Sequence, residues 1–187
     1  MDDNQKSQWL DFRRKSFEAG LDEAWARAQR VPVLNVIPGE YFSRGSTECR
    51  ELFINGHFVG CISLCQAVAE GLSKFLIKVK RMRSTKDYKT RCHRLFKEKI
   101  ISKQSLASFQ NIHADDRDDF HHMNETIAVD YQTLERRAEE CLTELYKIEA
   151  EIFDHRFEQG TLIPKFPEYW SINSESGTAS VSLRQYF

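Results

Sequence analysis

The sequence predicts a mainly α-helical fold with a small β ribbon. Two long segments, His57 to Lys80 and Ile127 to Glu158, carry apolar residues at three- and four-residue steps, which is the spacing of one helix face. At 179–187 apolar and polar residues alternate, as is typical of a strand. The short β-branched stretch at 31–37 is the segment expected to pair with it.

Composition predicts one globular domain with extensions. A chain of 187 residues with 41% apolar residues and a net charge of −1 can bury a core without disulfides or metal. The five cysteines are an odd number, and four of them fall inside helical patterns, so buried free thiols are expected. The polar, acidic N-terminus and the lack of an 18-residue apolar run predict a cytoplasmic protein that does not enter a membrane.

Residues 1–50 are expected to form an N-terminal helical extension packed on the core. Large apolar residues recur at helical intervals between residues 5 and 30, in one helix or in two broken near Gly20. Trp and Phe at this spacing are typical of a core or an interface rather than of a base-stacking surface. A further helix at 44–56 should end at Asn55 and Gly56.

The core is expected to begin with the helix from His57 to Lys80. A second helix from Asp87 to Ile100 would point Tyr88, Cys92, Leu95, Phe96 and Ile100 inward, and a short helix would follow at 102–112. The closing helix, at 127–158, has a heptad pattern and would span about 48 Å. Packing within the bundle is expected for it, with a partner interface as the alternative, and Gly160 should end it.

Near-zero net charge hides a division along the chain. Residues 74–103 contain twelve basic and two acidic residues, whereas residues 113–158 contain fourteen acidic and five basic ones. Clustered Lys and Arg are the mark of phosphate-backbone binding, which favours an RNA-facing surface. The alternative is that the two segments pack side by side and pair their charges.

The segment Asp115-Asp116-Arg117-Asp118-Asp119-Phe120-His121-His122-Met123-Asn124 concentrates groups suited to phosphodiester chemistry. Arg117 offers a permanent planar charge that fits a phosphate with two parallel hydrogen bonds. His122 is a side chain that exchanges a proton near neutral pH. Together they suit cleavage of RNA without a metal.

Arg117-Asp118 followed by His122 resembles the R-x4-6-H signature of the HEPN superfamily of small all-helical ribonucleases and nucleotide-binding proteins. The preceding helix, with Cys65-Gln66-Ala67-Val68-Ala69-Glu70, fits this setting. The resemblance implies an HEPN-like antiparallel helical bundle over residues 51–158, leaving 159–187 as a C-terminal tail. Glu70 would then contact Arg117 or remain a solvated glutamate.

The resemblance implies a metal-independent endoribonuclease acting as a homodimer, with Arg117 and His122 of both copies in one cleft. On one ideal helix Arg117 would instead neighbour His121, four residues away, so His121 is the second choice for proton transfer. Asp118 would orient the imidazole or Arg117, and Asn124 would donate to phosphate. The substrate RNA would also meet Lys86, Lys89, Arg91 and Arg94 of the basic segment.

Two other functions remain open at this stage. The carboxylates and imidazoles of residues 115–122 are also ligand types for a hard metal, although acidic residues equally suit the first turn of a helix. A catalytically silent HEPN-like binding or dimerisation module is the other alternative. No cofactor is expected. No phosphate-cradling glycine loop or nucleophile elbow occurs in the sequence, which argues against an NTPase or an α/β-hydrolase. Family analogy suggests a toxin or defence setting, with an antitoxin or other partner protein.

Overall fold

The computed structural model describes residues 2–31, 36–39, 41–113, 120, 125, 130–170 and 181–183. Within these residues the fold is mainly α-helical with small antiparallel β elements, which confirms the predicted fold class. We number the helices α1 to α7 and the strands β1 to β4 in chain order.

The N-terminal region forms two helices, α1 (Asp3–Ala19) and α2 (Leu21–Arg30), which are separated at Gly20. A capping box starts α1, because the side chain of Asp2 accepts from the Gln5 amide and the Gln5 side chain accepts from the Asp2 amide. No residue of α1 is buried, and Arg27 is the single buried residue of α2.

The aromatic residues of this region do not join the core. Trp9, Phe12, Phe17 and Trp25 are each more than half exposed. The expectation of core packing is therefore wrong for them; within the described residues α1 packs chiefly on α2. Their assignment to an interface stays a prediction.

Helices α3 (Ser43–Ile54) and α4 (Phe58–Val79) form the most extensive helix pair of the bundle. The turn between them needs Gly56, which has φ +76°, and a Cβ there would lie 2.7 Å from the Tyr131 hydroxyl oxygen. The stop at Asn55 and Gly56 is as predicted. The predicted domain boundary after residue 50 falls inside α3.

Helices α5 (Tyr88–Lys97) and α6 (Lys103–Ile112) follow a polar connection. Asp87 caps α5, since its carboxylate accepts from the Thr90 amide at 2.5 Å. Hydrogen bonds from the Thr90 side chain and amide lower the pKa of Asp87. Ser102 caps α6 in the same way, at 3.1 Å from the Ser105 amide.

Helix α7 (Tyr131–Ile152) ends six residues before the predicted position. Residues 155–158 form β2 (His155–Glu158), which pairs with β3 (Thr161–Pro164) in an antiparallel hairpin. Gln159 and Gly160 make the turn, with φ +50° and +79°. Gly160 therefore serves a hairpin rather than a helix end, and a short 3-10 helix follows at Pro167–Tyr169.

The bundle is organised around α4, which contacts α3, α5, α6 and α7. The heptad residues Ala138, Cys141, Leu145, Ile148 and Ile152 of α7 are buried against this core, so packing within the bundle is confirmed for them. By length and composition α4 could cross a membrane, but 61% of its apolar window is buried in the fold, as in a core helix of a globular protein.

All five cysteines are free and buried, as expected. Cys65 of α4 lies within hydrogen-bond distance of Cys49 of α3 and of Cys61. Burial raises the pKa of Cys65 well above its ordinary value and that of Cys92 to about 12. These thiols are therefore protonated at neutral pH.

The predicted ribbon between the two ends of the chain is present. Strand β1 (Val36–Pro38) pairs antiparallel with β4 (Val181–Leu183), with Val36 opposite Leu183 and Pro38 opposite Val181. Val36 and Ile37 are buried, so β1 adds apolar surface to the core.

Candidate nucleic-acid interface

Helix α5 is amphipathic, with Cys92 and Leu95 buried on one side. On the other side Lys89, His93, Phe96 and Lys97 are exposed, and three- and four-residue spacing places them next to one another. We call these four residues the α5 surface. Phe96 was expected in the core, but it is 39% exposed, so that prediction is wrong.

The basic connection between α4 and α5 is fixed to α5 by two arginines. Arg91 Nη1 donates to the carbonyl of Thr85 at 2.8 Å, and Arg94 Nη1 donates to the carbonyl of Arg83 at 2.7 Å. These bonds hold the segment that carries Arg83 and Lys86 beside the helix. Lys86 and Lys89 are exposed and Arg94 is half-buried, so each of these three predicted RNA contacts is open to solvent.

Arg91 is not available for a contact with RNA. Its side chain is 1% exposed, its Nε donates to Ser73 Oγ at 2.8 Å, and its Nη2 lies 3.5 Å from Glu70 Oε1. The predicted role of Arg91 in substrate binding is therefore wrong, because its guanidinium faces α4. Glu70, proposed as a contact of Arg117, lies against Arg91 and 2.9 Å from Lys74 Nζ.

Among the described residues, few carboxylates pair with the positive charges of residues 74–103. Ten of the twelve basic side chains are exposed: Lys74, Lys78, Lys80, Arg81, Arg83, Lys86, Lys89, Lys97, Lys99 and Lys103. Lys74 pairs with Glu70 and Lys80 pairs with Glu168 at 2.7 Å. Between described residues, no ion pair joins this segment to an acidic residue of 113–158. The alternative in which the two segments neutralise each other gains no support from these contacts.

Arg117, Asp118, His121, His122 and Asn124 lie outside the described residues, as do Asp115, Asp116 and Asp119. The two ends of their segment are described. Helix α6 leads into it through His113, and α7 follows it, with Asp130 accepting from the Thr133 amide at 2.8 Å. Phe120, between Arg117 and the two histidines in sequence, is buried in the core cluster.

The entrance to the motif segment is packed directly on α5. The rings of His113 and Tyr88 stack with centroids 3.6 Å apart, and the Tyr88 hydroxyl donates to the carbonyl of Phe109 at 3.0 Å. Burial raises the pKa of Tyr88, so this hydroxyl keeps its proton. His113 Nε2 lies 3.0 Å from the carbonyl of Gln66, an acceptor, so this nitrogen carries a proton.

A contact from α7 also holds the C-terminal end of α6 in place. Arg137 of α7 donates from Nη2 to the carbonyl of Asn111 at 2.9 Å, near the end of α6. The chain therefore enters residues 114–119 from a point fixed by α4, α5 and α7. The end of α6 that precedes residues 114–119 consequently lies beside the α5 surface, where Gln110 contacts His93.

No family model, curated protein or solved structure matches the chain. The resemblance to the HEPN superfamily stays a prediction that rests on the residues of the motif. No group of three or more His, Cys, Asp or Glu side chains in the described part of the chain is arranged to hold a metal ion. The carboxylates and imidazoles proposed as alternative metal ligands, between residues 115 and 122, all lie outside that part.

Sequence reasoning missed His93 and the exposure of Phe96. A helical projection of α5 carries the signal, because Phe96 is rotated by about 100° from Leu95 and lies within about 20° of Lys89 and about 60° of His93. Gln110 of α6 places its amide nitrogen 3.2 Å from His93 Nε2 and so fixes the imidazole on this surface.

Proposed function

We propose that this protein is a metal-independent, HEPN-type endoribonuclease that binds single-stranded RNA along the α5 surface. In this proposal the RNA 2′-oxygen attacks the adjacent phosphorus, and the bond from phosphorus to the 5′-oxygen breaks. A 2′,3′-cyclic phosphate and a 5′-hydroxyl are the products. The requirement for a 2′-hydroxyl excludes DNA as a substrate.

The roles of the motif residues follow from their chemistry. His122 takes the proton from the 2′-hydroxyl or gives one to the leaving 5′-oxygen, with His121 as the second choice. Arg117 stabilises charge on the non-bridging oxygens. Asp118 orients the imidazole or Arg117, and Asn124 donates a hydrogen bond to phosphate. Two copies of the chain would contribute to one cleft.

The observation that carries the RNA-binding half of the proposal is the exposed ring of Phe96 among cations. Aromatic faces accept a base of any sequence, and neighbouring Lys side chains follow the phosphate backbone. Lys89 and Lys97 flank Phe96 on the α5 surface, and no carboxylate pairs with either among the described residues. Tyr88, beneath this surface, stacks on His113 at the entrance to the motif segment.

Incubation of the protein with single-stranded RNA in EDTA tests the catalytic half. Cleavage that leaves 2′,3′-cyclic phosphate ends is expected, because neither group assigned to the reaction is a metal. Product ends are identified by mass spectrometry, with a DNA strand of the same sequence as the control. Cleavage that EDTA abolishes would favour the metal alternative, and intact RNA under all conditions would leave only the binding half.

Replacing Phe96 with alanine is expected to weaken binding of single-stranded RNA by about 5- to 150-fold. This range corresponds to the loss of roughly 1–3 kcal/mol of base stacking. Fluorescence anisotropy at one fixed salt concentration measures the change. Phe157→Ala is the matched control, since Phe157 is also well exposed but lies on β2. Equal affinities for the Phe96 and Phe157 variants would remove the α5 surface from the proposal.

The second candidate is a catalytically silent binding or dimerisation module, which the exposed apolar residues of α1 favour. Trp9, Phe12 and Phe17 together expose more apolar surface than a helix in water normally retains. We expect a homodimer at tens of micromolar by light scattering, and Phe12→Asp is expected to weaken it if α1 forms the interface. A monomer at that concentration would contradict the composite cleft.

A further inference from the structure

A cavity of about 210 Å³ opens where the corner between α1 and α2 meets the turn before α4. Its polar lining comes from Arg13, Ser16, Arg27, Asn55 and His57. Phe17 and Leu21 supply an apolar side. The cavity lies in the N-terminal part of the fold, and its described lining residues include none of the α5 surface.

Arg27 lines this cavity and is almost fully buried, which is uncommon for a cationic side chain. The residue is 7% exposed, its Nε donates to the carbonyl of Ile54 at 2.8 Å, and its guanidinium lies 5.8 Å from the centre of the Phe58 ring. Its nearest carboxylate is Glu23, at 3.5 Å from Nη1, but that side chain is 73% exposed. Nη2 has no hydrogen-bond partner among the described residues. Nη2 is not among the fully buried side-chain nitrogens, so it keeps access to solvent and can donate to an anion in the cavity.

Arg13 is the other charged side chain that lines the cavity, and His57 lies beside it. Arg13 lies 5.9 Å from the centre of the Trp9 ring and pairs with no carboxylate among the described residues. His57 is exposed, and no described side chain pairs with its imidazole. Of the side chains that the structure describes around the cavity, none is a carboxylate.

Two helix N-termini border the same space. The N-cap of α2 is Gly20, which has no side chain, and the side chain of His57, the N-cap of α4, does not bond to a first-turn amide. The positive end of a helix dipole favours an anion at such a position. Asp22 and Glu23, in the first turn of α2, are exposed and do not line the cavity.

We infer that this cavity binds a phosphate monoester joined to a flat or apolar group, as in a nucleoside 5′-phosphate that is free or at the end of an oligonucleotide. A phosphate monoester carries a charge between −1.5 and −2 at neutral pH, which suits two guanidinium groups and an imidazole. Phe17 and Leu21 face the attached group. The inference does not depend on the proposed ribonuclease activity, because no residue is shared with it.

Titration calorimetry with the full chain tests this site, with AMP as the probe and with adenosine and inorganic phosphate as comparison ligands. AMP is expected to bind with at least tenfold higher affinity than either comparison ligand. Arg13→Gln is expected to weaken AMP binding by about tenfold or more, since it removes a charge-assisted hydrogen bond. Arg13 is exposed on α1, so this substitution leaves the fold intact.

Arg14→Gln is the matched control, because Arg14 lies on the same helix, pairs with Asp11 at 4.0 Å and does not line the cavity. Equal AMP affinity in the Arg13 and Arg14 variants would overturn the site. No AMP binding at millimolar concentration would also overturn it. Equal affinity for AMP and inorganic phosphate would overturn the part assigned to Phe17 and Leu21.

Short DNA strands with and without a 5′-phosphate distinguish the two sources of the ligand, because DNA lacks the 2′-hydroxyl needed for cleavage. A 5′-phosphate that strengthens binding beyond AMP, and does so less in Arg13→Gln, identifies an oligonucleotide end. AMP binding at equal or higher affinity identifies a free nucleotide. A 5′-phosphate with the same effect in Arg13→Gln as in the wild type would count against the site.

Discussion

RNA cleavage is expected to fall by roughly 10²- to 10⁴-fold when His122 is replaced with alanine, because the reaction loses its proton-transfer group. Arg117→Ala is expected to abolish detectable cleavage, since charge on the non-bridging oxygens is then unopposed. Initial rates on a labelled RNA strand measure both changes. Binding of RNA through the α5 surface should persist in these variants.

His121→Ala is the control for the choice of histidine. Its rate should stay close to that of the wild type, and a loss confined to this variant would show that His121 is the proton-transfer group. Circular dichroism melting of all three variants separates loss of chemistry from loss of fold. Full activity in both Arg117→Ala and His122→Ala would rule out the proposed mechanism.

Arg91→Ala is expected to lower the free energy of unfolding by about 3 kcal/mol. The substitution removes a buried guanidinium that joins Ser73 of α4, Thr85 of the connection and Glu70. It also leaves the Ser73 hydroxyl and the Thr85 carbonyl without this donor. Urea unfolding followed by far-ultraviolet circular dichroism gives the value.

Lys89→Ala provides the comparison, because Lys89 is exposed on the same helix, and its effect on stability should stay within about 0.5 kcal/mol. In RNA binding without denaturant, the order of the two effects is expected to reverse. Lys89→Ala should weaken binding more than Arg91→Ala, because Lys89 contributes a phosphate contact. A stability change below about 1 kcal/mol for Arg91→Ala would contradict the structural role given to this side chain.

The sequence predicts α4 and α7 well because their apolar faces are long and regular. His57 and Lys80, the predicted limits of the first core helix, are the caps of α4. The pairing of residues 31–37 with 179–187 was also predictable, since both segments have strand-like sequences and each was the obvious candidate partner for the other. HEPN membership and the dimeric state stay predictions.

The end of α7 was predicted wrongly for a physical reason. His155 to Glu158 contain no proline or glycine, so local composition alone predicts that the helix continues through them. Phe153 is fully buried, however, and residues 155–164 pair as a hairpin about Gln159 and Gly160. A glycine after a polar residue signals both a helix stop and a tight turn, and only the pairing of β2 with β3 decides between them.

The basic segment shows a second limit of sequence reasoning. Arg91 and Lys89 are two residues apart and carry the same charge, but one is buried and the other is exposed. Net charge does not tell which basic side chains face the core and which face solvent. The helical position of Arg91 beside Cys92 and Leu95 does. Ser73, the partner that makes its burial tolerable, is eighteen residues away and cannot be inferred from local pattern.

The buried cysteines can report local unfolding of the protein. A thiol reagent attacks the thiolate, and burial keeps Cys65 and Cys92 protonated and out of reach in the native state. Modification must therefore wait for α3 and α4 to separate, or for α5 to leave the bundle. Mass spectrometry of reagent-treated samples would give the modification rate of each cysteine. These rates would measure how often each helix separates from the bundle, without any introduced label.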